Sequence, residues 1–451
     1  MENNQPSLQA LLRAIEYSQG QFRLILVSCN YKDLRAQIIQ QLRQQCHRKI
    51  QELVLDKNIK NLYTTIQEKV QNGQTQALIV SGLESTMNLD AVLTSTNKIR
   101  EEFNRDFRFP LLVWVNNEVL NKFHRLAADL KDWATTIHFT LTPDELVKLL
   151  QHKEWQLFDI NSKFNPEERA ELEAIGQDLK NAGVRLKPSL KASLELGLGI
   201  CALKHNQIDI ALTHYQESLE FWKQNHNFQR QGILRLNIAR CYERQAEEKL
   251  AEKKYYLTKA RDELQQCLDL FKQAQCPDLV AQHIGKLGEV VRRLQEWSNL
   301  QELAEKALKL HQRYDYSRQL AQDYGFLAEV ALKKSQWMKA KEFAEKALSI
   351  NDRNSPNKSL YQFILAKSQS ELGQVKEAVS TLENARHESA PQSNPQLYIE
   401  ILEKLSSLHF DRGEYREAFQ LKQDKLTIKH QYGFQPFIGA SALPCPVENK
   451  G

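Results

Sequence analysis

The chain has 451 residues, of which 41% are hydrophobic and 26% are charged, and its formal net charge is +5 at pH 7. This length predicts two or three domains with ordinary globular cores. The basic excess is spread along the chain, so it does not favour a nucleic-acid-binding surface. The seven cysteines are odd in number and lack Cys-x-x-Cys spacing. This pattern argues against a disulfide framework or a zinc site and favours a reducing compartment.

The first twenty residues, MENNQPSLQALLRAIEYSQG, are polar and amphipathic, unlike the apolar core of a secretory signal. The sequence also contains no run of 18 apolar residues that would predict a membrane-spanning helix. We therefore expect a soluble cytoplasmic protein that has neither a membrane nor a nucleic acid as its partner.

Apolar runs alternate with helical patterns between residues 20 and 150. Strands are predicted at 22–28, 52–55, 77–81, 111–115 and 136–139, and helices at about 59–71, 87–106, 117–130 and 142–151. A strict alternation of strand and helix predicts a parallel sheet that is covered on both faces. Residues 1–151 are therefore predicted to form a three-layer α/β domain.

The segment after the first predicted strand bears on nucleotide binding. A phosphate-binding loop has the pattern GxxxxGK[ST], whereas this chain has SCNYKDLR, in which no glycine occurs and Lys32 precedes an acidic residue. We therefore predict no cofactor and no enzymatic activity. An alternative hypothesis keeps a residual nucleotide site formed by Lys32, Glu84 and Asn116. A receiver-like sheet would instead need an aspartate near Ser81, where the third strand ends.

Residues 152–187 are predicted to be a helical connector. The sequence Asn165-Pro166-Glu167-Glu168 is typical of a helix start, with Asn as the cap, Pro in the first turn and Glu three residues after the cap. This helix is expected to end near Gly183.

Residues 188–430 repeat a short pattern of small and large residues. In the clearest copy Ala340, Ala344 and Ala347 lie on one helical face, and Ala328 precedes Ala340 by twelve residues. The first anchors of six copies lie 49, 40, 40, 38 and 40 residues apart, namely Ala211, Ala260, Leu300, Ala340, Ala378 and Ala418. Such a pattern predicts about six helix pairs stacked as a solenoid with an extended concave surface.

The 49-residue step predicts longer helices through the charged stretch Ala246–Lys254. Gly373 and Gly413 are predicted turns, because glycine readily adopts the left-handed conformation that ends a helix. The tail at 431–451 carries prolines and no periodicity, so it is predicted to be irregular.

The repeat resembles the tetratricopeptide repeat, whose unit is about 34 residues long. The strand rhythm of the first domain resembles a degenerate P-loop core of the AAA or STAND kind. The chain as a whole is similar to a group of bacterial, chiefly cyanobacterial, signalling proteins in the segments Ala77–Glu84, Ile99–Asn117 and Gln431–Ala440. This resemblance implies a stand-alone sensor half of a STAND ATPase, and a STAND-type ATPase is then an expected partner.

A concave helical surface predicts a scaffold or adaptor that binds a protein or peptide in intracellular signalling or regulation. In the tetratricopeptide family the first helix of each unit lines the groove. The equivalent positions here include Arg240, Arg244, Arg292, Arg293, Lys333 and Lys367. These residues suit an acidic peptide. They are also explained as a solvated face with pairs such as Glu289 with Arg293.

Two further functions stay open from the sequence. One is a nucleotide-responsive regulator whose α/β domain binds ATP or GDP without efficient hydrolysis. The other is a structural scaffold that self-associates through its repeats.

Overall fold

A computed structural model describes residues 2–18, 20–70, 75–159, 165–350 and 357–432. Tail residues 433–451, predicted to be irregular, lie outside this set. The chain divides into two compact units, Met1–Cys241 and Tyr242–Gly451. The first unit contains five parallel strands: β1 (Arg23–Ser28), β2 (Ile50–Val54), β3 (Ala77–Ser81), β4 (Pro110–Val115) and β5 (Thr135–His138). The predicted parallel sheet is confirmed, and each strand begins and ends within two residues of its predicted limits.

Helices of the first unit cover both faces of the sheet and then continue as paired helices. They are α1 (Gln5–Glu16), α2 (Lys32–Gln45), α3 (Leu62–Lys69), α4 (Leu89–Lys98), α5 (Arg100–Asp106), α6 (Asn117–Leu126), α7 (Ala128–Asp132), α8 (Pro143–Leu157), α9 (Pro166–Asn181), α10 (Pro188–Lys204), α11 (Ile208–Gln224) and α12 (Phe228–Glu248). The predicted helices at 87–106 and 117–130 are each two helices, because the backbone leaves the helical range at Ile99 and Ala127.

The strand order β2-β3-β4-β1-β5 identifies where this sheet has room for a ligand. It differs from the 2-1-3-4-5 order of flavodoxin-like sheets, so the receiver-like alternative is wrong.

The chain leaves β1 towards one edge of the sheet and leaves β4 towards the other. The carboxyl ends of these neighbouring strands therefore flank a crevice, the usual ligand site of open α/β sheets. All six residues of β4 are buried, as expected for a strand covered on both faces.

The second unit begins with the last residues of α12 and continues as paired helices. They are α13 (Lys253–Gln273), α14 (Pro277–Arg293), α15 (Trp297–Arg313), α16 (Ser317–Lys333), α17 (Trp337–Ile350), α18 (Lys358–Glu371), α19 (Val375–Glu388), α20 (Pro395–Asp411) and α21 (Tyr415–Gln431). Helices α12 and α13 have 21 residues each, whereas α14, α15 and α16 have 17. These longer helices account for the 49-residue step in the repeat.

The small residues of the repeat lie in the seams between helices, as predicted. Ala340, Ala344 and Ala347 on α17 have no exposed surface, because α16 packs directly over them. The predicted left-handed turns at Gly373 and Gly413 are confirmed, each with a φ of 77°. The same conformation ends other helices at six positions that are not glycine: Asn206, His226, Gln275, Gln295, Asp315 and Ser335.

Close contacts between glycines and aromatic rings fix the spacing of alternate helices. A Cβ atom on Gly288 of α14 would lie 2.6 Å from the ring of Phe326 on α16. Similarly, a Cβ atom on Gly325 of α16 would lie 2.3 Å from the ring of Tyr361 on α18. Both distances are shorter than a carbon–carbon contact allows, so glycine is what lets these helices approach.

We expect Gly288→Ala to lower the free energy of unfolding by about 1–2 kcal/mol, because overpacking outweighs the better helix propensity of alanine. Gly285→Ala on the same helix is the matched control, since its Cβ would meet only the flexible end of Gln322 at 3.0 Å. That control should be neutral or slightly stabilising. Urea denaturation of the two variants measures the difference, and equal stabilities would contradict the steric explanation.

Candidate functional site

The first candidate site is the crevice beside the carboxyl ends of β1 and β4, and α9 covers it. This helix begins at the predicted cap, where Asn165 and Glu168 each accept a hydrogen bond from the other's backbone N–H. It ends at Asn181, and Gly183 follows with a φ of 63°. The predicted start and end of this helix are therefore confirmed, and the structure adds that the helix packs against the turn after β3.

A buried arginine lies at the centre of this crevice. Arg35, on the inner face of α2, is 7% exposed, and its guanidinium lies 2.5 Å from the carboxylate of Glu84. A second nitrogen of the group donates to the carbonyl of Cys29 at 3.2 Å, and Glu167 of α9 lies 3.6 Å away. Burial lowers the pKa of Arg35, but the pairing with Glu84 outweighs it and the net shift is upward. This arginine therefore stays charged.

Carboxylates of α9 occupy the remaining polar positions of the crevice. The backbone N–H of Lys32, at the amino end of α2, donates to Glu171 at 3.2 Å. The other oxygen of Glu171 lies 2.7 Å from the ammonium of Lys153. The hydroxyl of Tyr31 donates to Asp178. A helix amino end attracts anions, so Glu171 holds the place that a phosphate group would need.

The three residues of the hypothetical nucleotide site do not act together, because two of them have structural roles. Glu84 is paired with Arg35, and Asn116 accepts from the N–H of Val119 at 2.8 Å as the cap of α6. The Lys32 side chain is exposed. Cys29, at the end of β1, is 1% exposed, and burial raises the pKa of its thiol to about 11, so the thiol stays protonated at neutral pH.

The second candidate site is a groove of about 1130 Å³ in the second unit. The alternate helices α14, α16, α18 and α20 form its floor and walls. Charged side chains lie at its ends, and neutral polar side chains and rings lie between them. Its lining includes Lys253, Glu289, Arg292, Arg293, Trp297, Phe326, Glu329, Lys333, Lys358, Tyr361, Glu388 and Glu400.

Three of the six predicted basic residues line this groove, namely Arg292, Arg293 and Lys333. Lys367 lies on α18 outside the lining, with its ammonium 5.3 Å from the ring centre of Phe363. Arg240 belongs to the first unit, where it donates to Asn237 at 3.0 Å, and Arg244 is not among the lining residues. The positions that the repeat frame assigned on α14 and α16 are therefore the ones that line the groove.

The arginines of α14 differ in how far they are neutralised. Arg292 bonds both oxygens of Glu289, at 2.6 and 3.0 Å, and lies 3.6 Å from Glu329. Burial raises the pKa of Glu329. The expected pairing of Glu289 with Arg293 is wrong, because Glu289 turns to Arg292 instead. Arg293 lies 3.8 Å from Glu247, a distance too long for a strong hydrogen bond.

Trp297, Lys253 and Glu400 are among the groove residues that sequence reasoning missed. Trp297, at the start of α15, lies under the ammonium of Lys333, 5.4 Å from its ring centre. Lys253 comes from the start of α13, and Glu400 from the first turns of α20. The family frame covers only the first helix of each pair, so it gives no signal for Lys253 or Trp297.

The geometry defines a helical-repeat protein with an α/β sheet near its amino end. No family model matches the chain, and no curated protein matches it. Solved structures that align with it include apo RapI, with a TM-score of 0.49 and 11% identity over 75% of this chain and 83% of that one. Others are PilF of Pseudomonas aeruginosa (0.39, 15%, 55% and 95%) and the apo quorum sensor NprR of B. thuringiensis (0.39, 12%, 69% and 93%). Alignments at these scores do not bear on what this chain binds.

Two further properties concern only the described residues. Their His, Cys, Asp and Glu side chains form no group of three or more that is placed to hold a metal ion. None of the helices in the same part of the chain has both the length and the apolar composition needed to cross a bilayer.

Proposed function

We propose that this protein is a non-enzymatic scaffold or adaptor that binds a protein or peptide in the groove of its second unit. The groove itself is the supporting observation. Its volume of about 1130 Å³ exceeds the roughly 300–1,000 Å³ of typical small-molecule pockets. Charged side chains at its ends are also unlike the mostly apolar lining of such pockets. Stacked helix pairs present surfaces of this kind to extended polypeptides.

The proposed organisation keeps the divisions expected from the sequence. Residues 1–151 form the α/β domain, 152–187 the connector, 188–430 the repeats and 431–451 the tail. In this proposal the protein acts in the cytoplasm in signalling or regulation, and a STAND-type ATPase is a candidate partner. The α/β domain serves as a docking module and not as an enzyme.

The alternative, a nucleotide-responsive regulator, needs an accessible anion site beside β1. Glu171 takes the amino end of α2, and Glu84 is paired with Arg35, so neither group is available to phosphate or magnesium. We expect titration calorimetry with Mg·ATP and with GDP to detect no binding at millimolar nucleotide. Saturable heat would favour the alternative.

The groove is tested with two adjacent lysines. Lys333 lines it, whereas Lys334 points to α15 and donates to Gln301 at 2.6 Å. We expect Lys333→Glu to weaken capture of native partners by at least about tenfold, or about 1.4 kcal/mol, through like-charge repulsion. Lys334→Glu should leave capture unchanged. The measurement is quantitative mass spectrometry of proteins retained from native lysate by each full-length variant.

A retained set that is the same for the unsubstituted protein and for both variants would contradict binding in this groove. Light scattering of the same samples addresses self-association, since a stable oligomer that Lys333→Glu disrupts would make a second copy the partner.

A further inference from the structure

The charges in the groove have a direction, which follows from how its helices run. Connectors of three residues join α14 to α15 and α15 to α16, so neighbouring helices are antiparallel and alternate helices run parallel. The carboxyl ends of α14 and α16 therefore lie on one side of the groove. The amino ends of α18 and α20 lie on the other side.

Basic side chains collect on the first of these sides. Arg293 and Lys333 are the last residues of α14 and α16, and Lys253 begins α13. None of the three has an ion pair shorter than 3.8 Å among the described residues. Lys333 lies over the ring of Trp297 and also attracts Glu329, one turn before it on α16. Arg292 is already paired with Glu289. This basic end therefore has three cationic groups available to a ligand.

The opposite side offers a carboxylate. Lys358 and Glu388 neutralise each other at 2.6 Å. Glu400 of α20 accepts a hydrogen bond from the neutral side-chain amide of Gln396 at 2.9 Å, and no cation pairs with it in the described part of the chain. Between the two ends neutral side chains line the groove, among them Gln322 and the largely buried rings of Phe326 and Tyr361.

The dimensions fit a short extended segment. Lys333 and Glu400 differ by eleven helical positions, or roughly 16 Å along the helix axes at 1.5 Å per residue. Two helix-to-helix steps of about 8–10 Å separate α16 from α20. The diagonal is then roughly 24 Å, which about seven or eight extended residues span.

We propose that the groove binds an extended peptide of seven or eight residues, with carboxylates at the end formed by Lys253, Arg293 and Lys333 and a cation beside Glu400. This inference rests on the proposed function and adds the polarity and length of the ligand. The carboxylates belong either to acidic side chains or to a free carboxyl terminus.

The test is a selection from a displayed library of random dodecapeptides against the full-length protein. The peptide that binds best is then synthesised, together with a version in which the order of its charged residues is reversed. We expect the reversed peptide to bind at least tenfold more weakly by fluorescence anisotropy. We expect the double variant Lys333→Glu/Glu400→Lys to prefer the reversed peptide, and Lys334→Glu to behave as the unsubstituted protein. Amidation of the carboxyl terminus separates the two sources of carboxylate.

The outcomes distinguish the two proposals. Binders that lose affinity in Lys333→Glu but tolerate reversal of their charges would overturn the polarity and leave the proposed function standing. A library without any binder that responds to Lys333→Glu would contradict the proposed function, and the inference with it. Thermal unfolding of each variant shows that an effect on binding is not a loss of folding.

Discussion

Replacing Arg35 by alanine is expected to lower the free energy of unfolding by about 3–5 kcal/mol, because it leaves Glu84 as a buried, unpaired carboxylate. Both side chains are nearly inaccessible, with 9% and 4% of their surfaces exposed. The loss should also free α9, since Glu167 contacts the same guanidinium. Urea denaturation measures the stability, and hydrogen exchange of the backbone amides of α9 reports release of the helix.

The matched control for Arg35 is on the same helix. Arg43 pairs with Glu52 at 2.6 Å, but its side chain is 56% exposed. Solvent screens such pairs, so Arg43→Ala should cost no more than about 1 kcal/mol. A double variant, Arg35→Ala/Glu84→Ala, should be less destabilised than the sum of its single variants. Equal costs for Arg35→Ala and Arg43→Ala would contradict the structural role of the buried pair.

Replacing His311 by alanine is expected to destabilise the second unit by a similar amount, about 3–5 kcal/mol, because Asp323 then loses the partner of a buried pair. Neither side chain has exposed surface. The two ring nitrogens of His311 lie 2.5 Å from Asp323 of α16 and 2.7 Å from the carbonyl of Ala281 on α14. One side chain therefore ties three helices together. Urea denaturation again measures the effect.

His409 provides the control, since it makes an equally short contact, 2.5 Å, with Glu414 but in a partly exposed position. His409→Ala should cost no more than about 1 kcal/mol. A loss at His409 as large as that at His311 would show that burial does not set the cost.

The pair also predicts a pH dependence. Burial lowers the pKa of His311, but its hydrogen bonds to Asp323 and Ala281 outweigh burial and raise that pKa. A raised pKa in the folded state gives stability that is complete below the unfolded value, about 6.5, and is lost as the pH rises through the folded value. The free energy of unfolding should fall above pH 6.5. Burial also raises the pKa of Asp323, which gives a slope of the same sign, so the double variant His311→Gln/Asp323→Asn should remove the slope. A slope that is unchanged in the variant would refute the assignment.

Sequence patterns predicted those parts of the fold that depend on local chemistry. The apolar runs of β1, β3 and β4 predicted a buried parallel sheet, and the alanines of α17 predicted a close helix seam. The cap at Asn165 predicted the start of α9. Left-handed turns were predicted only at Gly373 and Gly413, because glycine marks them. The six described left-handed positions that are not glycine carry polar residues that tolerate this conformation at a cost, so no composition signal identifies them.

Contacts between distant segments could not be read from the sequence. Arg35 lies beside Leu34 and near Ile38 on the buried side of α2, which indicates that it is buried. No neighbouring residue, however, indicates that Glu84 is its partner. The hydrogen bond from the backbone N–H of Lys32 on α2 to Glu171 joins residues that lie 139 positions apart. In the groove, the repeat frame located the ends of α14 and α16. The end near Glu400 depends on how four helices are stacked.

The glycine–ring contacts at Gly288 and Gly325 have a consequence for how the groove responds to salt. They set the distances between α14, α16 and α18 by steric contact, which ionic strength does not alter. Charges at the ends of the groove are instead screened, over about 10 Å at 0.1 M salt and about 3 Å at 1 M. If the groove binds a peptide as proposed, concentrated salt should therefore elute it while the helices keep their spacing, so that desalting alone restores an intact protein with an empty groove.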